Sequence, residues 1–239
     1  TNLELGQYKF LFVKAPALAT TFSTVEGKKL EEITINAKMD TDPQRSGYVL
    51  PVEEIWMPET AKLADSIYTI MDQEYIPNKL VRSVSQVEVY IKRGEANGDD
   101  FDAIEYVNGN IMDDIKGIQL HVNNVGEYID YRGSHGSSST YYSTQAATEI
   151  SDEGFAYFKG PFVFPTESTG ESATVDVVVK GKRNYPAEMK TSVTSKLERN
   201  KKMIITLWLS PAPTIGLIDI TVDTSEITAT EEGDKGIWE

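Results

Sequence analysis

Apolar residues recur at every second position along much of this chain, and that alternation constrains its fold more than any other feature. A period of two places successive side chains on opposite faces of an extended backbone, so each stretch reads as a strand with one buried side. Tyr8, Phe10 and Phe12 share a side of Gln7–Val13. Ile33, Ile35, Ala37 and Met39 alternate with Thr34, Asn36 and Lys38. The same pattern returns at Val87, Val89 and Ile91, at Ile118, Leu120 and Val122, and at Val175, Val177 and Val179. Met203–Leu209 is apolar on nearly both sides, as for a central strand. Ile218, Ile220 and Val222 close the series.

The punctuation agrees with strands. Asn97-Gly98 and Asn108-Gly109 are tight-turn pairs that tolerate positive φ. Pro211 and Pro213 end a strand because proline cannot donate to a ladder. Gly133–Ser139 reads as a flexible loop or linker. One segment is ambiguous: Leu63, Ile67, Ile70 and Met71 have helical spacing after Pro58-Glu59, yet Ser66–Ile70 also suits a strand. Many short strands with few helices predict an all-β fold of β-sandwiches. The loop suggests a boundary near residues 133–150, giving an N-terminal β-sandwich domain over 1–140. A smaller C-terminal one with a tail strand follows over 141–239.

Composition removes several function classes. The 239 residues carry 23 basic and 37 acidic side chains, a formal net charge of −14. Such a surface repels a phosphate backbone, which argues against nucleic acid and against anionic membranes. The absence of cysteine removes disulfides, thiolate metal sites and cysteine nucleophiles. No apolar run is long enough for a spanning helix. Thr1–Phe10 has no basic start followed by an apolar core, so an exported form implies that the targeting segment is already removed.

No constellation points to catalysis. His121 lies on the polar side of a strand and His135 in the Gly/Ser stretch, and no metalloprotease or deaminase spacing joins them. Gly133-Ser134-His135-Gly136-Ser137 lacks the register and setting of a nucleophile elbow. Asn97–Asp102 gathers oxygens without the order of a calcium loop. Asp113-Asp114 and Glu53-Glu54 are carboxylate pairs among many, and Lys180–Arg183 reads as a charged turn. Tyr128, Tyr131, Tyr141 and Tyr142 suit either stacking on a sugar or packing between domains. The expectation is no enzymatic activity, no cofactor and no metal.

The end of the chain carries more information. Residues 223–239 follow a strand that already looks complete, yet they retain Ile227, Thr228, Ala229, Thr230, Ile237 and Trp238. Polar tails fray; a β-prone tail seeks a groove. The groove belongs either to the same molecule or to a neighbour that accepts an added strand.

Several stretches resemble a known family. Leu80-Val81-Arg82-Ser83-Val84-Ser85-Gln86-Val87-Glu88-Val89 resembles the "L-x-R-x-V-A-K-V-x-V" strand of fimbrillins, the type V pilins and related surface proteins of Bacteroidales. Tyr8–Val13 resembles their early aromatic strand. Tyr48-Val49-Leu50-Pro51 and Trp56-Met57-Pro58 stand where an "L-P-M" stretch is frequent. Phe162-Val163-Phe164-Pro165 resembles the entry to their second domain. Arg199-Asn200 with Met203–Leu207 resembles a strand near their C-terminus, and Trp238 resembles the closing residue. The pieces occur in the family's order. Gln86 stands where Lys is common and Met203 where Tyr is common, and the lipid-bearing cysteine has no counterpart.

The resemblance implies two transthyretin-like β-sandwich domains in tandem and a structural subunit (shaft, tip or accessory) of a surface fimbria. It implies export as a lipoprotein to the outer membrane and proteolytic opening of a groove for a neighbour's strand. Other fimbrial subunits are then the partners, with a host or bacterial surface protein or glycan as a further one. On this reading Ile227–Thr230, Ile237 and Trp238 are the donor strand, and Tyr8, Phe10 and Phe12 line the acceptor groove. The rival expectation is a non-polymerising adhesin or carbohydrate-binding lipoprotein of the same architecture, resting on the tyrosines and the Gly133–Ser139 stretch.

Overall fold

A computed structural model describes residues 4–15, 27–60, 62, 65–70, 79–97, 100–104, 109–132, 135–145, 149–150, 155–166, 172–213 and 215–227. These residues form strands β1 (Gly6–Tyr8), β2 (Thr34–Asn36), β3 (Tyr48–Val49), β4 (Trp56–Pro58), β5 (Tyr68–Ile70) and β6 (Leu80–Arg82). Long strands follow: β7 (Ser85–Asn97), β8 (Asp100–Ala103), β9 (Ile115–Asp130) and β10 (His135–Gln145). The last are β11 (Glu149–Ile150), β12 (Ala156–Val163), β13 (Ala173–Gly181), β14 (Met189–Ser195), β15 (Lys201–Leu209) and β16 (Leu217–Glu226). The chain is all-β, as its alternation predicts.

Two large sheets dominate. The first runs β14-β13-β9-β10-β3, with β2 also on β9; the second runs β11-β12-β7-β15-β16, with β8 on β7. Most pairs are antiparallel, but β15 lies parallel to β7 and β3 parallel to β10. One continuous apolar cluster takes Ile118, Leu120, Val122, Val175, Val177 and Val179 from the first sheet. From the second it takes Val87, Val89, Ile91, Phe158, Ile205 and Leu207. These are the alternating residues of the sequence, so their burial between two sheets follows from the period. Gly160 belongs to this logic, since a Cβ there would stand 2.2 Å from the Val87 carbonyl oxygen across the bulged β12–β7 pairing.

A second, smaller cluster of Ile35, Ile55, Met57, Val84, Ile129 and Phe164 lies beside the first. It takes Ile35 and Met57 from the short strands β2 and β4, Ile55 and Val84 from beside short strands, Ile129 from the far end of β9 and Phe164 from just beyond β12. Leu11, Val13 and Ala15 pack on it, and Lys14 bridges Trp56.

The structure differs from the sequence-based reading in two places. The Gly133–Ser139 stretch is no linker: from His135 onward it is β10, hydrogen-bonded along β9 from His135↔Ile129 to Gln145↔Ile118. A long neighbouring strand supplies a ladder that overrides the poor strand propensity of glycine and serine. The boundary expected at 140/141 falls inside β10, and both large sheets combine strands from either side of it. The ambiguous 58–71 stretch divides, with Lys62 and Asp65 helical and β5 extended. β7 and β8 do form a hairpin there, but Asn97 closes β7 opposite Asp100 instead of standing at the centre of the turn, and Gly98 lies outside the described residues.

Candidate functional site

Each large sheet ends in an edge strand near the C-terminal half, β14 in the first and β16 in the second. An edge presents a row of backbone donors and acceptors, a template for another strand. Residues Thr221–Thr224 of β16 are exposed, and Val222 retains 41% of its accessible surface. β16 runs straight into the tail.

The exit of that tail is fixed by two arginines, one buried and one half-buried. The Ile227 N–H donates to the Asn200 carbonyl (3.0 Å), and the Ile227 carbonyl accepts from Arg82 Nη1 (2.9 Å). Arg82 is itself only 5% exposed. Its guanidinium is paired with Glu54 and stacks 4.2 Å from the Trp56 ring centre. Arg199 lies next to it, donating through Nη2 to the Met57 (3.0 Å) and Pro58 (2.7 Å) carbonyls and through Nε to the Arg82 carbonyl (3.3 Å). Asn200 sits in the left-handed region, φ 60°, which asparagine tolerates better than most residues. Two stretches that carry the family resemblance, Leu80–Val89 and Arg199-Asn200, therefore meet at one place, where the last described residue of the tail is held. Sequence reasoning noted these arginines as motif letters and gave them no role. The available signal was a lone arginine set among strand-forming apolar residues.

Ile227 is thus the one donor-strand candidate in the described region; Thr228, Ala229, Thr230, Ile237 and Trp238 lie outside it. Tyr8, Phe10 and Phe12 do come together. Their rings stand 6.0 and 5.9 Å apart in file, and the Tyr68 ring caps Phe10 at 5.7 Å and Phe12 at 6.5 Å. All three are half-buried. Leu11 and Val13 pack, half-buried, on the smaller cluster, so the segment turns one side to it and carries aromatics on the other.

A second polar cluster ties this region to β9. Asp65 accepts from the Tyr131 hydroxyl (2.7 Å) and from Arg132 Nε (3.0 Å). These two donors hold the Asp65 carboxyl below its usual range. Burial, reinforced by the bond to Asp65, pushes the Tyr131 hydroxyl up to about 12.

The other candidate residues have structural roles. Asp113 accepts from the Asn110 N–H (3.0 Å) and pairs with Arg183 (3.5 Å), while Glu54 serves Arg82. Lys182 donates through Nζ to the Met112 carbonyl (2.8 Å), so Lys180–Arg183 is a tethered turn. Asn97 Nδ2 donates to Asp102 (2.6 Å) within its hairpin. Among the described residues, no group of three or more His, Asp or Glu is placed to hold a metal. His121 pairs with Tyr142, whereas His135 pairs with Ile129 far along the hairpin. The tyrosines disperse: Tyr131 is buried, Tyr141 is opposite core residue Val122, Tyr142 opposite His121, and Tyr128 opposite Gly136.

Comparison with known proteins places this architecture. No family model matches the chain, and no curated protein matches it. Among solved structures, a candidate adhesin of Bacteroides thetaiotaomicron shares 14% identity at a TM-score of 0.53, covering 95% of this chain and 79% of that one. A candidate polysaccharide-binding protein of the same organism shares 13% identity at 0.53, covering 95% and 78%. The fimbrial anchor protein Mfa2 of Porphyromonas gingivalis aligns at a TM-score of 0.45 with 10% identity, covering 86% and 71%. The chain spans 65% of the length of a candidate cell adhesion protein of Bacteroides uniformis. The fold is therefore of the kind found in candidate adhesins of Bacteroides.

Proposed function

We propose that this chain is a non-enzymatic structural subunit of a bacterial surface fimbria, joined to its neighbours by β-strand addition and supporting adhesion through the polymer. The tail exit carries the reading. Ile227 is clamped front and back by Asn200 and Arg82, so the β-prone sequence that follows begins at a fixed point at the end of β16, an edge strand among the described residues. Ile227 is used as the anchor, and the donor segment begins at Thr228. The aromatic file of Tyr8, Phe10 and Phe12 is the acceptor side, where alternate side chains of an incoming strand find pockets. The likeness of fold to candidate Bacteroides adhesins supports a location on the cell surface, with other fimbrial subunits as partners and an outer-membrane lipoprotein as the exported form.

Removing residues 228–239 while retaining β16 tests this reading. The shortened chain should stay folded and monomeric and should fail to form filaments under conditions where the full chain does. Filaments that assemble normally without the segment would end the donor assignment.

A further inference from the structure

We infer that the outer face of the first sheet carries a groove for a neutral pyranoside glycan. Two shallow depressions of about 350 and 400 Å³ meet there at a ridge formed by Gln119 and His121. Tyr48 and Arg45 flank the first; Asp176, Ser192 and Lys190 flank the second. Neither belongs to the tail exit or to the aromatic file.

The register builds this row. Ser192, Asp176, His121 and Tyr142 are successive backbone partners across β14, β13, β9 and β10. Val175 and Val177, on either side of Asp176, are fully buried. The period of two that fills the core therefore also delivers a carboxylate and an imidazole to neighbouring positions on the other face.

The side chains match a sugar ring. Tyr48 and His121 stand 5.9 Å apart with their rings at 70°, an aromatic corner that fits the apolar C–H face of a pyranose. Asp176 accepts from Asn123 Nδ2 (3.3 Å) and from the Ser192 hydroxyl (2.5 Å). These bonds fix the carboxylate, so it accepts from a sugar hydroxyl without reorganising. An aromatic surface edged by a few set polar groups is the usual composition of a small-ligand site.

Charge selects among sugars. Arg45 pairs with Asp40 (3.2 Å) and Asp42 (3.3 Å), and Lys190 with Glu188 (3.1 Å). Glu188 is shared with Lys180, so with Asp176 the rim sets four carboxylates against three cations, on a chain whose net charge is −14. A sialylated or sulfated glycan would meet this acidic surface without a compensating cation, which leaves neutral hexopyranosides as the favoured class.

The test uses the whole chain on an array of mannose-, galactose- and N-acetylglucosamine-terminated oligosaccharides with their sialylated counterparts. Retained sugars are then titrated in solution. Neutral oligosaccharides should bind, and His121→Ala and Tyr48→Leu should each weaken them about tenfold or more. Ser192→Trp, at an exposed position, should block the groove while circular dichroism stays unchanged. Tyr90→Ala, on the opposite sheet, should leave binding intact. The groove assignment fails if no neutral oligosaccharide is retained, if only sialylated ones are, or if Ser192→Trp and His121→Ala leave binding unaltered. Filament formation, read on the same samples, should survive Ser192→Trp, so the two proposals stand or fall apart.

Discussion

The two apolar clusters of this protein are held together by different means. Between the large sheets, strands of seven or more residues interdigitate alternating Val, Ile, Leu and Phe side chains, and apolar burial does most of the stabilising. The N-terminal region beside them has strands of two or three residues, and among the described residues its cluster holds six buried apolar side chains, with Ile129 and Phe164 lent by β9 and the end of β12. There, arginines reach across to backbone carbonyls that short strands leave unmatched. Long ladders satisfy their own backbone; short ones need side chains to do it.

That contrast can be broken, and the largest effect belongs to the main core. Phe158 is fully buried, so Phe158→Ala should cost about 3–5 kcal/mol in denaturant unfolding. A loss below ~1 kcal/mol would mean the sheets are not held by packing. Arg199→Met removes the donor to three carbonyls and should cost about 2–3 kcal/mol. Its sharper signature is local: amide exchange at residues 55–58 should accelerate while residues 118–122 keep their protection. Equal acceleration in both places would erase the distinction between the regions.

The Asp65–Tyr131 contact adds a pH signature confined to the N-terminal side. Tyr131 titrates at about 12 in the folded protein, against about 10 when unfolded. The folded state therefore keeps its proton longer, and the associated stability is present below pH ~10 and lost as pH rises towards ~12. Asp65 has the opposite sign, since its carboxyl is depressed when folded. Its contribution is present above about pH 4 and disappears as pH falls below. Tyr131→Phe should cost about 1 kcal/mol at neutral pH and flatten the alkaline limb. An unchanged alkaline limb would remove Tyr131 as its source. The smallest effect is expected at the exposed Lys79–Glu59 pair, where Lys79→Ala should shift stability by less than ~0.5 kcal/mol.

Legibility in the sequence followed the same division. Val175, Val177 and Val179, or Ile118, Leu120 and Val122, announce their burial by period alone. The 135–139 stretch misled because its strand identity comes from β9 opposite, not from its own glycine and serines. At the candidate site, the file of Tyr8, Phe10 and Phe12 was readable from spacing. The tail clamp was not, because Arg82, Asn200 and Ile227 are brought together only by the fold, and no local pattern encodes an arginine's reach to a distant carbonyl. The two-faced row through Asp176 and His121 was hidden likewise: each strand showed its polar side, but register alone sets those sides next to each other.

The parallel pairing of β15 with β7 sets the order in which the molecule can be completed. β7 and β12 can zip as soon as both exist, but the other flank of β7 is filled only by Lys201–Leu209. A chain growing from its N-terminus therefore carries a long apolar strand with one bare side until more than a hundred further residues have been made. Such distant closure slows folding and leaves the nascent chain open to wrong partners. Any factor that shelters it must act on the Val87–Ile91 flank and let go only when the last two strands arrive.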